Sequence, residues 1–96
     1  MTISYVVTCY NKAPFLADTL ASIAAERAGS GGEIVIVDDG STDESPVILA
    51  EFAAAQGDTQ VITQENRGVA AATNVGFSHA AHDAIRFCDA DDILCA

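Results

Sequence analysis

The run Ile34-Val35-Ile36-Val37 is apolar and β-branched at every position, and it ends in Asp38-Asp39. A strand with one wet face alternates apolar and polar residues. A run without alternation is covered on both faces, the condition of an inner strand in a parallel sheet with helices on each side. A second apolar run, Ala84-Ile85-Arg86-Phe87-Cys88, ends in Asp89-Ala90-Asp91. Carboxylates that close a strand lie at the rim of a sheet, not in its core. Two such rims on one side make an acidic cleft whose charges repel one another. An oxygen-seeking divalent ion, Mg²⁺ or Mn²⁺, satisfies them and can then hold a phosphate.

The rest of the chain alternates in the same way. Ile3 to Cys9 reads as strand one. Pro14 opens a helix, where its missing N–H costs nothing, and Leu16, Leu20, Ile23 and Ala24 mark the buried face. Gly29-Ser30-Gly31-Gly32 stops it, and Glu33 to Asp38 is strand two. For the next helix two starts compete. Ser41 and Glu44 have capping-box spacing, while Ser45-Pro46 supplies an N-cap and a first helical residue. Ile48, Leu49, Phe52 and Ala53 form its apolar stripe. Gln60 to Thr63 is a short third strand, Val69 to Ala80 an alanine-rich helix, and Ala84 to Cys88 strand four. The order β-α-β-α-β-α-β implies a Rossmann-like parallel α/β sheet with right-handed crossovers, helices on both faces and strand order 3-2-1-4. Strand four is then an edge. Exposed edges associate, so either the chain forms a homodimer there or it is the front of a larger domain.

Residues 1–96 make one small domain. The net charge of -10, from 14 acids and 4 bases, argues against non-specific binding to nucleic acid or to an anionic membrane. It suits cation binding, or simply solubility. The 3 cysteines, Cys9, Cys88 and Cys95, have neither disulfide-framework nor zinc-site spacing; Cys9 and Cys88 read as buried thiols at strand ends. With no basic leader, long apolar segment or lipidation motif, the expected location is the cytoplasm, at the inner face of a membrane in a longer form.

Ligands of such sheets bind beyond the carboxyl ends of the strands. Those ends are Thr8-Cys9-Tyr10-Asn11, Asp38-Asp39-Gly40-Ser41, Asn66-Arg67-Gly68 and Asp89-Ala90-Asp91-Asp92. Asp89 and Asp91 lie two apart, on one side of an extended segment, so both can approach one ion; the plain alternative is a solvated acidic loop. Asp39 can accept from a base N–H and Asp38 can cap the turn, or the pair is a structural Asx turn. Tyr10 can stack on a base, or be half-buried packing. Arg67 can neutralise a diphosphate, or pair with Glu65 at the surface. His79 and His82 suit charge interactions at a helix end better than a metal pair. No P-loop, G-x-G-x-x-G or G-x-S-x-G is present.

Taken together these residues resemble the family 2 glycosyltransferases, whose donor half has the A-type glycosyltransferase fold. The likeness spans the chain. It is carried by Val6-Val7-Thr8-Cys9-Tyr10-Asn11-Lys12, by Val37-Asp38-Asp39-Gly40-Ser41-Thr42-Asp43, by Glu65-Asn66-Arg67-Gly68-Val69-Ala70-Ala71-Ala72 with Asn74-Val75-Gly76, and by Phe87-Cys88-Asp89-Ala90-Asp91-Asp92. The resemblance implies a nucleoside-diphosphate sugar donor, a UDP-sugar, and an acceptor hydroxyl such as that of a cell-envelope polysaccharide. Thr8 and Tyr10 would line the base pocket, Asp39 would bind the base, and Asp38 beside it would belong to the same nucleotide-sugar-binding set. Asp89 would reach the ribose or the ion, Asp91 would coordinate Mn²⁺ or Mg²⁺, and Arg67 would lie near the diphosphate. The family usually inverts the anomeric centre.

Thr73 stands where the family often has arginine, which removes one diphosphate contact. The family's catalytic base and acceptor region fall downstream of Ala96, so no residue is assigned as base. Residues 1–96 are the expected donor-binding portion, and this chain alone should bind donor but transfer sugar poorly. Two other classes share the pattern. One is a non-catalytic nucleotide-binding or interaction module of the same fold. The other is a phosphoacceptor signalling domain, which wants its acidic pair after strand one and a lysine after a later strand; here Lys12 is the only lysine.

Overall fold

The computed structural model describes residues 3–30, 32–80 and 84–89, with the side chains at 29, 30, 69, 84 and 87–89 left undescribed. The elements run β1 (Ile3–Cys9), α1 (Ala13–Ser30), β2 (Glu33–Asp38), α2 (Ser45–Ala55), β3 (Thr59–Thr63), α3 (Val69–His79) and β4 (Ala84–Asp89). The strands form one sheet in the order β3-β2-β1-β4, with every neighbouring pair parallel. The expected fold and strand order are therefore present.

Register decides which residues share a face. Tyr5 lies beside Ile34 and Val7 beside Ile36, so these four point to one side. There they meet Leu16, Leu20 and Ile23 of α1 and Leu49 of α2 in the principal core, with Ile48, Phe52 and Val61 packed around it. The apolar stripes read from the sequence are thus the buried ones. The other face carries Val6 and Val37, which pack against α3. Gly76 permits this approach: a β-carbon there would collide with Val6 Cγ1 and touch Val37 Cγ2 at 3.4 Å. Buried Ala72, one helical turn earlier, continues the small-residue contact.

Strand β4 is the edge beside β1. Arg86 of β4 pairs with Glu26 of α1 at 2.9 Å, on the face that holds α1. At the opposite end of the sheet from the strand-end acids, buried Ser4 donates to Glu33 at 2.9 Å. Arg27 binds the α2–β3 turn through Gly57 O and, at 2.9 Å, Gln56 Oε1. Among the described residues no helix is long and apolar enough to cross a membrane.

The start of α2 differs from both readings of the sequence. Glu44 is its N-cap, without a side-chain cap, and Ser45 is its first residue. Both serine hydroxyls are used elsewhere. Ser41 Oγ accepts the Asn11 N–H at 3.0 Å and Ser45 Oγ the Lys12 N–H at 3.1 Å. Neither is then left to cap its own helix. Smaller differences occur at ends: α1 begins one residue before Pro14, β3 begins at Thr59, and β4 extends to Asp89.

Candidate functional site

Helices α1 and α2 start at the carboxyl ends of β1 and β2, and their two connecting turns are joined side by side. Asn11 takes a left-handed φ of 50°, a conformation asparagine tolerates better than most residues. Its Oδ1 accepts from the N–H of Thr42 at 2.7 Å and of Asp43 at 3.3 Å. Asp43 spans both helix starts. Its carboxylate accepts the Ala13 N–H at 3.2 Å and the Ser45 N–H at 2.8 Å, placing an anion at two N-termini. Hydrogen bonding from Ser45, with help from Ala13, holds the Asp43 carboxyl below the usual carboxylate range.

This joined pair of turns forms one wall of a cleft of about 280 Å³. Thr8, Cys9, Tyr10 and Lys12 line it from the β1 side, Asp39 from the end of β2, and Asn66, Gly68 and Ala72 from α3 and the loop before it. Thr8 and Cys9 are buried at its base, whereas Tyr10 is 41% exposed and free to offer its ring.

Asp39 organises the opposite wall. Its N–H donates to Cys9 O at 2.8 Å, locking the end of β2 to β1. Its Oδ1 accepts from Gln64 Nε2 and from the Arg67 N–H, both at 2.9 Å. Its Oδ2 accepts the Gly68 N–H, also at 2.9 Å. Burial opposes ionisation of this carboxyl. The Gln64 amide, the Arg67 and Gly68 N–H groups and the Arg67 charge outweigh burial and hold it below the usual range. An ionised acceptor therefore faces the cleft at neutral pH. Gly40, at φ 76°, lets this approach occur, since a β-carbon there would lie 2.8 Å from Asn66 N.

Asp38, by contrast, is fully buried and lies in register with Cys9, on the face that holds α1 and α2. Its Oδ1 accepts the Ser41 N–H at 3.1 Å, the turn-capping geometry expected of it, and its Oδ2 is buried with no hydrogen-bond partner among the described residues; Asp38 is not among the residues that line the cleft. Arg67 reaches the site through its main chain, and its side chain is exposed. Cys9 is a buried free cysteine, as expected. Burial chiefly, with the Asp38 charge, pushes its thiol pKa up against hydrogen bonds from Ser45 and Ser41, so it stays protonated. His79 Nδ1 lies 2.9 Å from Val75 O at the end of α3, a helix-terminal contact.

Asp89 is the last residue of β4, and its backbone lies in register beside Thr8, which lines the cleft. Its side chain, and Asp91, Asp92, His82 and Cys95, lie outside the described residues. Among the described residues no three His, Cys, Asp or Glu side chains are grouped to hold a metal ion. Sequence reasoning did not single out Lys12 or Ala72 as cleft residues, nor Gln64 as the support of Asp39. Lys12 carried a signal in its position, one residue before a helix at a strand end. Gln64 carried none.

A parallel sheet with a cleft beyond the carboxyl ends of its strands is the arrangement in which open α/β domains bind their ligands. The chain belongs to glycosyl transferase family 2, whose family model matches residues 4–94. It is 34% identical to the poly-β-1,6-N-acetyl-D-glucosamine synthase of Staphylococcus aureus, over 96% of this chain and 22% of that one. Its fold is similar to that of S. aureus TarS in complex with UDP-GlcNAc, with a TM-score of 0.80 and 27% identity over 95% of this chain and 27% of that one. It is also similar to a mannosyltransferase of Pyrobaculum calidifontis in complex with GDP-Man and Mn²⁺, with a TM-score of 0.81 and 30% identity over 93% and 27% of the two chains. These structures have the A-type glycosyltransferase fold. The chain spans under a third of the curated relatives it matches, 29% of one and 22% of another.

Proposed function

We propose that residues 1–96 form the donor-binding portion of an inverting glycosyltransferase, holding a nucleoside-diphosphate sugar, a UDP-sugar, for transfer to an acceptor hydroxyl. The observation that carries this reading is the ionised Asp39 carboxylate in the wall of a cleft at the carboxyl ends of β1 and β2. Thr8 and Tyr10 bound the same cleft, which suits a base lying over Tyr10 with its N–H groups toward Asp39. A relative's complexes with UDP-GlcNAc and with UDP support a nucleotide-sugar partner. The polysaccharide synthase among the relatives suits a cell-envelope polysaccharide as acceptor.

A divalent ion, Mn²⁺ or Mg²⁺, fits the carboxylate chemistry at the end of β4. The backbone pairing of Asp89 with Thr8, a cleft-lining residue, supports this reading. Asp89 and Asp91 would hold the ion, which when bound supplies Lewis-acid stabilisation of the departing nucleoside diphosphate. This chain's own residues bind and orient the donor: Asp39 fixes the base, Tyr10 covers it, and Arg67 offers its charge toward the diphosphate.

The test is titration of UDP with and without Mn²⁺ into the wild type and Asp91→Asn. Metal-dependent binding that disappears in Asp91→Asn is the expected result. Binding of equal strength with and without metal would remove the ion from the proposal, and equal binding by Asp91→Asn would remove that residue.

A further inference from the structure

Gln64 stands one residue past the end of β3, and the parallel ladder continues through it. Thr63 is in register with Asp38, and the Gln64 N–H donates to Asp38 O at 3.0 Å. That bond fixes the Gln64 main chain beside the end of β2. Its half-buried side chain reaches the next residue of β2, where Nε2 donates to Asp39 Oδ1 at 2.9 Å. Asp39 lines the cleft, whereas Gln64 is not among the lining residues. Gln64 can therefore act on a bound ligand through Asp39 and not by touching it.

The donors to Asp39 are not equivalent. The N–H groups of Arg67 and Gly68, each at 2.9 Å, belong to the main chain of the loop before α3, and any residue but proline would supply them. The Gln64 amide is a side-chain donor, present because of the residue type at this position. It also comes from a different element, the end of β3. A carboxylate held from both the loop and the strand end has little freedom left to lose when a ligand engages it, and such prior ordering adds affinity.

The same amide acts on charge. Burial pushes the Asp39 carboxyl up, and the Gln64 amide leads the contacts that bring it below the usual range. The other titratable groups on the surrounding elements are Cys9, Tyr10 and Lys12 at the end of β1, Asp38 on the other face of β2, and Glu65 and Arg67 in the loop. A substitution at Gln64 changes none of them.

We infer that Gln64 is a positioning residue of the nucleotide site, whose amide orients the Asp39 carboxylate from outside the cleft. The inference rests on the nucleotide-donor reading and adds to it a residue that touches no ligand.

The experiment takes two readouts on the wild type, Gln64→Leu, Gln64→Lys and Thr63→Ala, each checked for a native circular dichroism spectrum. The first is titration of the Asp39 carboxyl carbon by NMR, without nucleotide or metal. The second is calorimetric titration of UDP with Mn²⁺ at neutral pH. In Gln64→Leu the Asp39 carboxyl is expected to titrate at higher pH than in the wild type, and UDP affinity to fall about three- to tenfold. Gln64→Lys restores a donor and is expected to return the carboxyl to the wild-type titration or below it. Thr63→Ala changes an exposed side chain one residue away and is expected to alter neither readout. An unchanged Asp39 titration in Gln64→Leu would overturn the inference. So would a changed titration with unchanged UDP affinity, a Gln64→Lys carboxyl that titrates as high as in Gln64→Leu, or the same two changes in Thr63→Ala. A folded wild type that binds no UDP would instead remove the nucleotide-donor reading, and this inference with it.

Discussion

The Asp39 carboxylate accepts the Gly68 N–H at 2.9 Å, tying the end of β2 to the residue that opens α3. One carboxylate thus serves as a structural hinge pin and as the anionic wall of the cleft. Asp39→Asn keeps the shape but replaces one acceptor oxygen with a donor, which faces either the Gly68 N–H or the pair from Gln64 and Arg67. A buried donor left without its acceptor costs about 1–3 kcal/mol. Urea unfolding should show a loss of that order, and nucleotide affinity should fall in the same variant. Unchanged stability would mean that these bonds are replaced without loss.

The acid response of the chain follows from two carboxyls. Asp39 and Asp43 both titrate below the usual carboxylate range when folded. Their stabilisation is fully present above the unfolded carboxylate value, about 4. It is lost as pH falls through the lower folded values, because the unfolded state then binds more protons than the native state. Urea midpoints measured from neutral pH downward should decline below about pH 4. The decline should be shallower in Asp39→Asn and in Asp43→Asn.

Asn11 combines a left-handed backbone with a side chain that receives two N–H groups of the neighbouring turn. Asn11→Ala loses both contributions, and Asn11→Gly loses the side-chain bonds but not the backbone fit. Asn11→Gly should therefore be the more stable of the two by about 1 kcal/mol. Thermal or urea unfolding of the pair decides it. The reverse order would mean that the backbone strain carries no weight here.

Gly76 is the contact point of α3 with the sheet, where an added β-carbon would collide with Val6 Cγ1. Gly76→Ala should destabilise by about 1–3 kcal/mol, despite alanine's better helix propensity. Shortening the partner in Gly76→Ala with Val6→Ala should restore part of that loss. Additive losses in the double variant would place the strain elsewhere.

How much of this was legible in the sequence depends on how local the cause is. The unbroken apolar run Ile34 to Val37 announces a strand covered on both faces, and the burial of every one of these residues, between β1 and β3, bears it out. The stripe of Leu16, Leu20 and Ile23 likewise names its own buried face. The start of α2 was misread because Ser41 and Ser45 spend their hydroxyls on Asn11 and Lys12, some 30 residues away. The strand-end position of Asp39 marked it as a cleft residue. Its engagement with Gln64, Arg67 and Gly68 depends on β3 lying beside β2, which no local pattern encodes. The difference between adjacent Asp38 and Asp39 is more local, since strand alternation turns Asp38 to the face of Ile34 and Ile36 and Asp39 away from it. Asp38 is fully buried on the side of α1 and α2, and Asp39 lines the cleft.

The central claim is that the cleft beside Asp39 is a nucleotide site. Calorimetric titration of UDP with Mn²⁺ into the purified, folded chain tests it most directly. Saturable binding at one site, weakened in Asp39→Asn, is the expected result. A folded wild-type chain that takes up no UDP would contradict it.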